Sequence, residues 1–346
     1  MEIGFCQSIG EFKMRIPGVK TVRLFSRWLQ AQIYPGALIL GYHRVADVGQ
    51  DLKKICVTPD HFEEHLQALK KHGNPIGLSA LVRCLKQGSL PTKSVVVTFD
   101  DGYADNLHQA KPLLEKYEIP ATVFVTTGYL GKEFWWDELE RLIVTSNAPP
   151  DTLTHYFYEE KFRWQPPVIR GEADVSEQDV IQRDLIDSLY HLLLPLEVKD
   201  RERIMNAIRS WSESALAVSP AARALNVEEL LRIAEGGLIE IGAHTKTHPF
   251  LPCLSVQTQE QEILSSKKDL EDILERRVSG FAYPNGASTK EARTIVREAG
   301  FEYACCSFRD IVRPGCDFQQ LSRFWQEDVD GDKFMKGLQV WSPVIR

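Results

Sequence analysis

Several features that would place the chain in other classes of protein are missing from its 346 residues. No apolar run reaches the length of a transmembrane helix, and the N-terminus has no apolar block like that of a signal peptide. Positive charge is not in excess, because the formal net charge is −7, which argues against nonspecific binding of nucleic acid. The seven cysteines are an odd number without zinc-ribbon spacing, which favours reduced thiols. We therefore expect a cytoplasmic protein that does not bind nucleic acid.

Two adjacent carboxylates, Asp100 and Asp101, follow the apolar run of residues 95–97. A continuous apolar run is typical of a strand that is buried on both faces. The carboxyl end of such a strand is where α/β proteins place their ligands. Gly102 lets the backbone turn, so both carboxylates can border one cavity. Because Asp and Gly are also ordinary turn residues, this segment alone fits a simple strand-ending turn equally well.

Two histidines, His244 and His248, follow a second strand-like run over residues 238–243. A carboxylate and two imidazoles fill three ligand positions of a catalytic metal and leave one position for water. A second carboxylate beside them can accept the proton of that water. Surface or capping histidines are the alternative, but two at ligand spacing favour a metal site. The two segments together predict a metal-assisted hydrolase.

These segments resemble the polysaccharide deacetylase family, whose catalytic domain is also called the NodB homology domain. Residues 38–45 resemble the first strand of a branch with a Tyr-His-Arg-Val motif. Residues 98–106 are similar to the family's Asp-Asp motif and residues 244–249 to its His-x-x-x-His motif. Residues 281–286 and 321–324 lie where its later motifs occur. The resemblance implies an irregular seven-stranded (β/α) barrel related to the TIM barrel, with a long, mainly helical insertion.

The resemblance also implies a role for each residue that matches a motif. Asp101, His244 and His248 would bind one divalent metal, with zinc as the first choice and cobalt, nickel or iron as alternatives. Asp100 would be the base for a metal-bound water that attacks an amide carbonyl, and a backbone N–H near Asn285 would stabilise the oxyanion. The implied reaction is the removal of an N-acyl group, such as acetyl, from an amino sugar.

The chain departs from the common family pattern at three places. Ala282 and Tyr283 stand where the family has an arginine that steadies the base, and Asn285 replaces a tyrosine. Arg323 replaces a late histidine that acts as the general acid, and an arginine keeps its proton near neutral pH. We therefore expect the acid elsewhere, with His43 at the end of the first strand as the candidate. A histidine that only orders the first loop is the alternative.

The pattern divides the chain into three parts. Residues 1–34 are basic and amphipathic, which fits a helix docked on the barrel or peripheral contact of residues 13–34 with the inner face of a membrane. Alternating strands and helices predict the barrel over residues 35–130 and 237–346. Residues 131–236 exceed what a connection between two strands needs, so we expect this insertion to cover the rim of the active site.

We expect six residues to contact the substrate: Tyr103, Trp135, Trp136, Tyr283, Pro284 and Arg323. The two tryptophans belong to the insertion and could stack on a sugar ring, with packing inside the insertion as the alternative. The expected substrate is an N-acylated amino sugar in a glycan, glycolipid or sugar intermediate, and a lipid-linked form would suit membrane contact. Two rival functions stay open, namely hydrolysis of a non-sugar amide or cyclic imide and glycan binding without catalysis.

Overall fold

The structure, a computed structural model, describes residues 36–49, 51–146, 177–212 and 222–341. Its strands are Leu38–Tyr42 (β1), Arg44–Val45 (β2), Cys56–Val57 (β3), Asn74–Pro75 (β4), Ser94–Phe99 (β5), Ala121–Val125 (β6), Ile239–Ala243 (β7), Gly280–Ala282 (β8), Tyr303–Cys305 (β9) and Phe324–Trp325 (β10). Its α-helices are Pro59–His72 (α1), Leu78–Gln87 (α2), Lys111–Tyr117 (α3), Trp135–Val144 (α4), Glu177–Leu193 (α5), Val198–Ser212 (α6), Val227–Ile233 (α7), Val256–Leu274 (α8), Lys290–Glu298 (α9) and Gly331–Trp341 (α10). The basic N-terminal segment predicted over residues 1–34 lies outside the described residues.

One curled parallel sheet carries the strands that position the site. Its order is β10-β1-β5-β6-β7-β8-β9, and β4 pairs with β5 beside this path. The chain after β9 pairs with that strand at Leu321 and then forms β10, which pairs with β1. Residues 321–325 therefore border both ends of the sheet. The predicted seven-stranded (β/α) barrel is confirmed.

Local sequence explains the helices that cover this sheet, as α1 illustrates. The helix begins at Pro59, whose fixed φ suits the first turn, and the side chain of Thr58 caps it by accepting a hydrogen bond from the backbone N–H of His61. Phe62, Leu66 and Leu69 recur at helical spacing, and all three are fully buried against the sheet. The apolar pattern thus fixes which face of the helix packs inward.

Strand β5 brings the first carboxylates to the edge of the sheet. All six of its residues are buried, as the apolar run predicts. It pairs in parallel with β1 and β6, with Tyr42 opposite Phe99. The backbone N–H of Asp100 donates to the carbonyl of Tyr42 at 2.9 Å. Because parallel strands end at one edge, residues that follow β1, β5 and β7 meet there.

The described part of the insertion has a hydrophobic cluster of its own. Helices α4, α5 and α6 pack together through residues such as Trp135, Leu189 and Trp211. A short non-helical segment near Pro195 separates α5 from α6. The mainly helical insertion was predicted from the sequence, and the domain boundaries stay a prediction. Among the described residues, no helix is both long and apolar enough to cross a membrane.

Candidate metal and catalytic site

A cavity of about 380 Å³ opens at the carboxyl edge of the sheet. Its wall contains all six residues that the sequence predicts to be catalytic or metal-binding: His43, Asp100, Asp101, His244, His248 and Asn285. These residues follow β1, β5, β7 and β8, so the sheet brings together side chains that are far apart in the chain. The cavity is therefore the candidate active site.

Asp101, His244 and His248 form a cluster that could hold a metal ion. One ligand atom from each residue lies within 4.8 Å of the other two. The Asp101 Oδ1 atom is 3.5 Å from His244 Nε2 and 3.4 Å from His248 Nε2. This oxygen is buried and has no hydrogen-bond partner among the described residues, which is costly for a carboxylate unless a cation satisfies it.

The protonation states of the two histidines suit ligands. The Nδ1 atom of His244 lies 2.8 Å from the carbonyl oxygen of Ala282, so Nδ1–H can donate there and leave Nε2 free for a metal. Burial lowers the pKa of His244, and burial and the charge of His244 lower the pKa of His248. Both imidazoles are therefore neutral at neutral pH, which is the form that binds metals.

The electrostatics of Asp101 also fit a cation. Burial and the neighbouring charge of Asp100 raise the pKa of Asp101 well above its usual range. A divalent cation between Asp101 and the two imidazoles would favour the ionised carboxylate and offset this penalty. The donor set of one carboxylate and two imidazoles thus fits a divalent metal with an open position.

Arg323 binds Asp100 and does not line the cavity. Its Nη1 and Nη2 atoms donate to the two carboxylate oxygens of Asp100 at 2.6 and 2.7 Å, and the guanidinium is fully buried. Burial is the largest effect and would raise the pKa of Asp100, but the charge of Arg323, the charge of His244 and the hydrogen bonds from Arg323 together lower the pKa to about 2. Asp100 is therefore ionised and held in one orientation at neutral pH. The sequence predicts that Arg323 contacts substrate, whereas the structure places it on Asp100, where it provides the steadying cation that the third motif lacks.

His43 lies on the cavity wall and stacks on Trp325, with 4.4 Å between the ring centroids. Burial lowers the pKa of His43 to about 4, although the charge of Asp100 acts in the opposite direction. The ring is therefore neutral at neutral pH in the protein alone. To act as a general acid, His43 must first gain a proton during the reaction.

Most of the residues predicted to contact substrate lie behind the cavity wall. Tyr103 is fully buried, and its hydroxyl donates to Asp137 at 2.7 Å and accepts from the indole N–H of Trp136 at 2.9 Å. Tyr283 and Pro284 are buried under the same edge. The structure therefore buries these three side chains away from the cavity wall, where the predicted direct contact with substrate would not place them.

The two adjacent tryptophans have different environments. Trp135 is 1% exposed and stacks on Tyr190 inside the insertion, so it is buried away from the cavity to which the predicted substrate contact would bring it. Trp136 lines the cavity, where its ring lies 4.6 Å from the ring of His248. Successive side chains of a helix point about 100° apart, which is why only one of the pair reaches the cavity.

The sequence interpretation missed the wall that helix α5 contributes. Ile186, Asp187, Tyr190 and His191 line the cavity, and the Tyr190 hydroxyl donates to Asn285 Oδ1 at 3.2 Å. Residues three and four apart on a helix share a face, as Ile186 and Tyr190 do, so this spacing was a signal in the sequence. Nothing in the sequence placed that face over the sheet. The insertion thus covers the site with a helix as well as with Trp136.

The fold and the site define a (β/α) barrel with a metal-binding triad and a paired carboxylate at the carboxyl edge of its strands. The family model described as polysaccharide deacetylase matches residues 87–154 and 206–304. The matched residues include the Asp100–Asp101 and His244–His248 segments. The resemblance drawn from the sequence is confirmed, and the chain carries a polysaccharide deacetylase domain.

Two curated relatives share the name poly-beta-1,6-N-acetyl-D-glucosamine N-deacetylase. The protein of Staphylococcus aureus strain N315 is 34% identical over 139 residues, which cover 34% of this chain and 48% of the relative. The protein of Staphylococcus epidermidis is 32% identical over 108 residues, which cover 28% of this chain and 37% of the relative. The matches therefore span about half or less of the length of these relatives.

Solved structures share the fold over most of the chain. The Streptococcus pyogenes deacetylase PplD in complex with acetate has a TM-score of 0.57 at 19% identity, covering 90% of this chain and 100% of that one. IcaB from Ammonifex degensii has a TM-score of 0.56 at 18% identity, covering 88% of this chain and 97% of that one. At such low identities the likeness shows the fold alone.

Proposed function

We propose that the protein is a metal-dependent hydrolase that removes the N-acetyl group from an amino sugar unit of a glycan. The observation that carries the proposal is the Asp100–Arg323 pair beside the Asp101, His244 and His248 cluster in one cavity. A fixed, ionised carboxylate next to a ligand set with an open position is what hydrolysis of an amide requires. The names of the curated relatives support N-acetylglucosamine polymers as the substrate class.

Each residue of the site has a proposed role in the reaction. Asp101, His244 and His248 would hold the metal, for which zinc is the first choice and which supplies a Lewis acid for the carbonyl and for water. Asp100 accepts the proton of the attacking water, and Arg323 keeps that carboxylate in place. His43 would deliver a proton to the leaving amine after gaining one in the reaction. The backbone at Asn285 is the proposed partner of the oxyanion.

The direct test measures acetate release from N-acetylglucosamine oligomers by the purified chain. The metal content is determined in the same preparations by elemental mass spectrometry, with His244→Ala as the variant that lacks a ligand. We expect about one transition metal per wild-type chain, loss of metal and of acetate release after chelation, and recovery on adding zinc. Wild-type protein that cannot be loaded with metal, or that releases no acetate when loaded, would refute the proposal.

Trp136 is proposed to contact the sugar. In Trp136→Ala we expect KM for the oligomer to rise about two- to tenfold at saturating zinc, since an aromatic contact is worth about 0.5–1.5 kcal/mol. Trp135→Ala is the matched control, because that neighbouring ring is buried in the insertion and should affect thermal stability and leave KM nearly unchanged. Steady-state kinetics of both variants measure these KM values. Equal KM values for Trp136→Ala and wild type would show that Trp136 does not contact the sugar.

The rival functions predict different results in the same assay. A hydrolase of small non-sugar amides would not need Trp136 and would release no acetate from oligomers, and a glycan-binding relative would bind them without turnover. The arginine whose absence motivated the binding-only interpretation has a substitute in Arg323, which favours catalysis. A lipid-linked substrate, membrane contact through residues 13–34 and a cytoplasmic location stay proposals that this assay does not address.

A further inference from the structure

The loop between the two histidine ligands has an unfavourable backbone conformation. Thr245 and His248 have φ angles of 62° and 53°, in the left-handed region that residues with a Cβ rarely adopt. Such conformations persist only where the surrounding structure holds them, and they gather at functional sites. Within the loop, the His248 backbone N–H donates to the Thr245 hydroxyl at 3.1 Å. The Thr245 hydroxyl also donates to the carbonyl oxygen of His244. These local bonds involve the ends of the loop, and Lys246 and Thr247 are held from outside it.

Glu262, on helix α8, holds the middle of this loop. Its Oε2 atom accepts hydrogen bonds from the backbone N–H groups of Lys246 at 3.0 Å and Thr247 at 2.8 Å. Its Oε1 atom accepts a third bond from the Thr247 hydroxyl at 2.7 Å. From the insertion, Arg201 donates to the carbonyl oxygen of Thr247 at a longer 3.4 Å. The backbone N–H groups of Thr127 and Gly128 also donate to the carbonyl oxygens of Thr245 and Lys246, at 3.3 and 2.7 Å. Glu262 makes three bonds to the loop and accepts from the backbone N–H groups of both Lys246 and Thr247.

The ring of His248 depends on this support more than the ring of His244 does. The Nδ1 atom of His244 is paired with the carbonyl of Ala282, which fixes the ring directly. The Nδ1 atom of His248 has no hydrogen-bond partner among the described residues, and the ring packs on Trp136. Its direction is thus set by the loop backbone and by that packing. A change in the backbone at Thr247 would move Nε2 of His248 away from Asp101.

We infer that Glu262 is a positioning residue for the metal ligand His248. Glu262 does not line the cavity, and it acts by holding the loop that carries the ligand. The inference rests on the proposed metal site. It adds Glu262, on helix α8, to the residues that determine how tightly the metal binds. Partners that orient a ligand change metal affinity by about 10–100-fold when they are removed.

The experiment measures the zinc dissociation constant of the metal-free chain by competition with a chromophoric chelator. We expect Glu262→Ala to bind zinc about 10–100-fold more weakly than wild type. Glu262→Gln should bind nearly as tightly as wild type, because its amide oxygen can accept both backbone bonds. The control is Glu271→Ala on the same helix, whose carboxylate accepts from Lys267 and from the Val278 backbone and does not touch the loop.

The control and the conservative variant separate positioning from general stability. Thermal unfolding of the metal-free variants is measured alongside, since a structural role alone would lower stability in Glu262→Ala and Glu271→Ala without selective loss of affinity. If Glu262→Ala does not fold, Thr247→Val removes only the 2.7 Å hydroxyl bond and should weaken zinc binding by a smaller factor. Wild-type affinity in folded Glu262→Ala, or in Thr247→Val if Glu262→Ala does not fold, would overturn the inference. Absence of zinc binding by wild type would instead refute the proposed function.

Discussion

Asp100→Asn is expected to lower the rate of acetate release by about 10²–10⁴-fold, the usual contribution of a general base. The asparagine keeps the size of the side chain but cannot accept a proton from water near neutral pH. The ligands Asp101, His244 and His248 are unchanged, so zinc should still bind. Single-turnover kinetics with zinc-loaded protein, together with metal analysis of the same sample, measure both effects.

Asp101→Asn is the matched control for this variant, since it makes the same chemical change one residue later. It removes the carboxylate whose Oδ1 atom lies closest to both imidazoles, so zinc affinity itself should fall. The two adjacent carboxylates would then have separable functions. Turnover at the wild-type rate in Asp100→Asn would show that another group is the base.

Arg323→Met is expected to lower the free energy of unfolding by about 3–5 kcal/mol, because it leaves the carboxylate of Asp100 buried without its partner. The structure has Asp100 only 3% exposed and bonded twice to the guanidinium. Urea unfolding of the metal-free chain at pH 7 measures the change. Because the pKa of Asp100 is lowered to about 2, the pair is ionised at pH 7. Its contribution to stability is complete above the ordinary pKa of an aspartate and is lost as the pH falls from there toward about 2.

The double variant Asp100→Asn with Arg323→Met shows whether the loss comes from the unpaired charge. Replacing both partners removes the buried charges together, so most of the lost stability should return. Arg323 also packs on the ring of Trp325, with Cζ 4.6 Å from the ring centroid, and the double variant loses that contact too. Equal instability of the single and double variants would therefore assign the effect to packing on Trp325.

The strands, many helices and the ligand set could be predicted because each depends on neighbouring residues. The buried run of β5 and the helical spacing of Phe62, Leu66 and Leu69 are local patterns that set which face is buried. Asp101 and the two histidines could be predicted because each follows a strand, and parallel strands end at a common edge. That rule brings residues together without any knowledge of the insertion.

Contacts between distant residues were beyond such reasoning. Arg323 and Asp100 are 223 residues apart, and no periodicity reports that their side chains meet. The sequence predicts that Asp100 lacks a steadying arginine and that Arg323 contacts substrate. In the structure Arg323 is itself the arginine that holds Asp100. Likewise, the choice between Trp135 and Trp136 depends on the rotation of α4 against α5, which is set by tertiary packing and not by the pattern of either helix.

The separation of Asp100 from Arg323 also orders events during biosynthesis. The ribosome completes β5 and Asp100 first, and the guanidinium emerges 223 residues later, on the segment that joins β9 to β10. Until then the carboxylate cannot be buried without an unpaired charge, so we expect the carboxyl edge of the nascent barrel to stay hydrated. We therefore expect closure of the sheet and pairing of Asp100 with Arg323 to occur in the same late step, and a chain that ends before residue 323 lacks the arginine that holds Asp100.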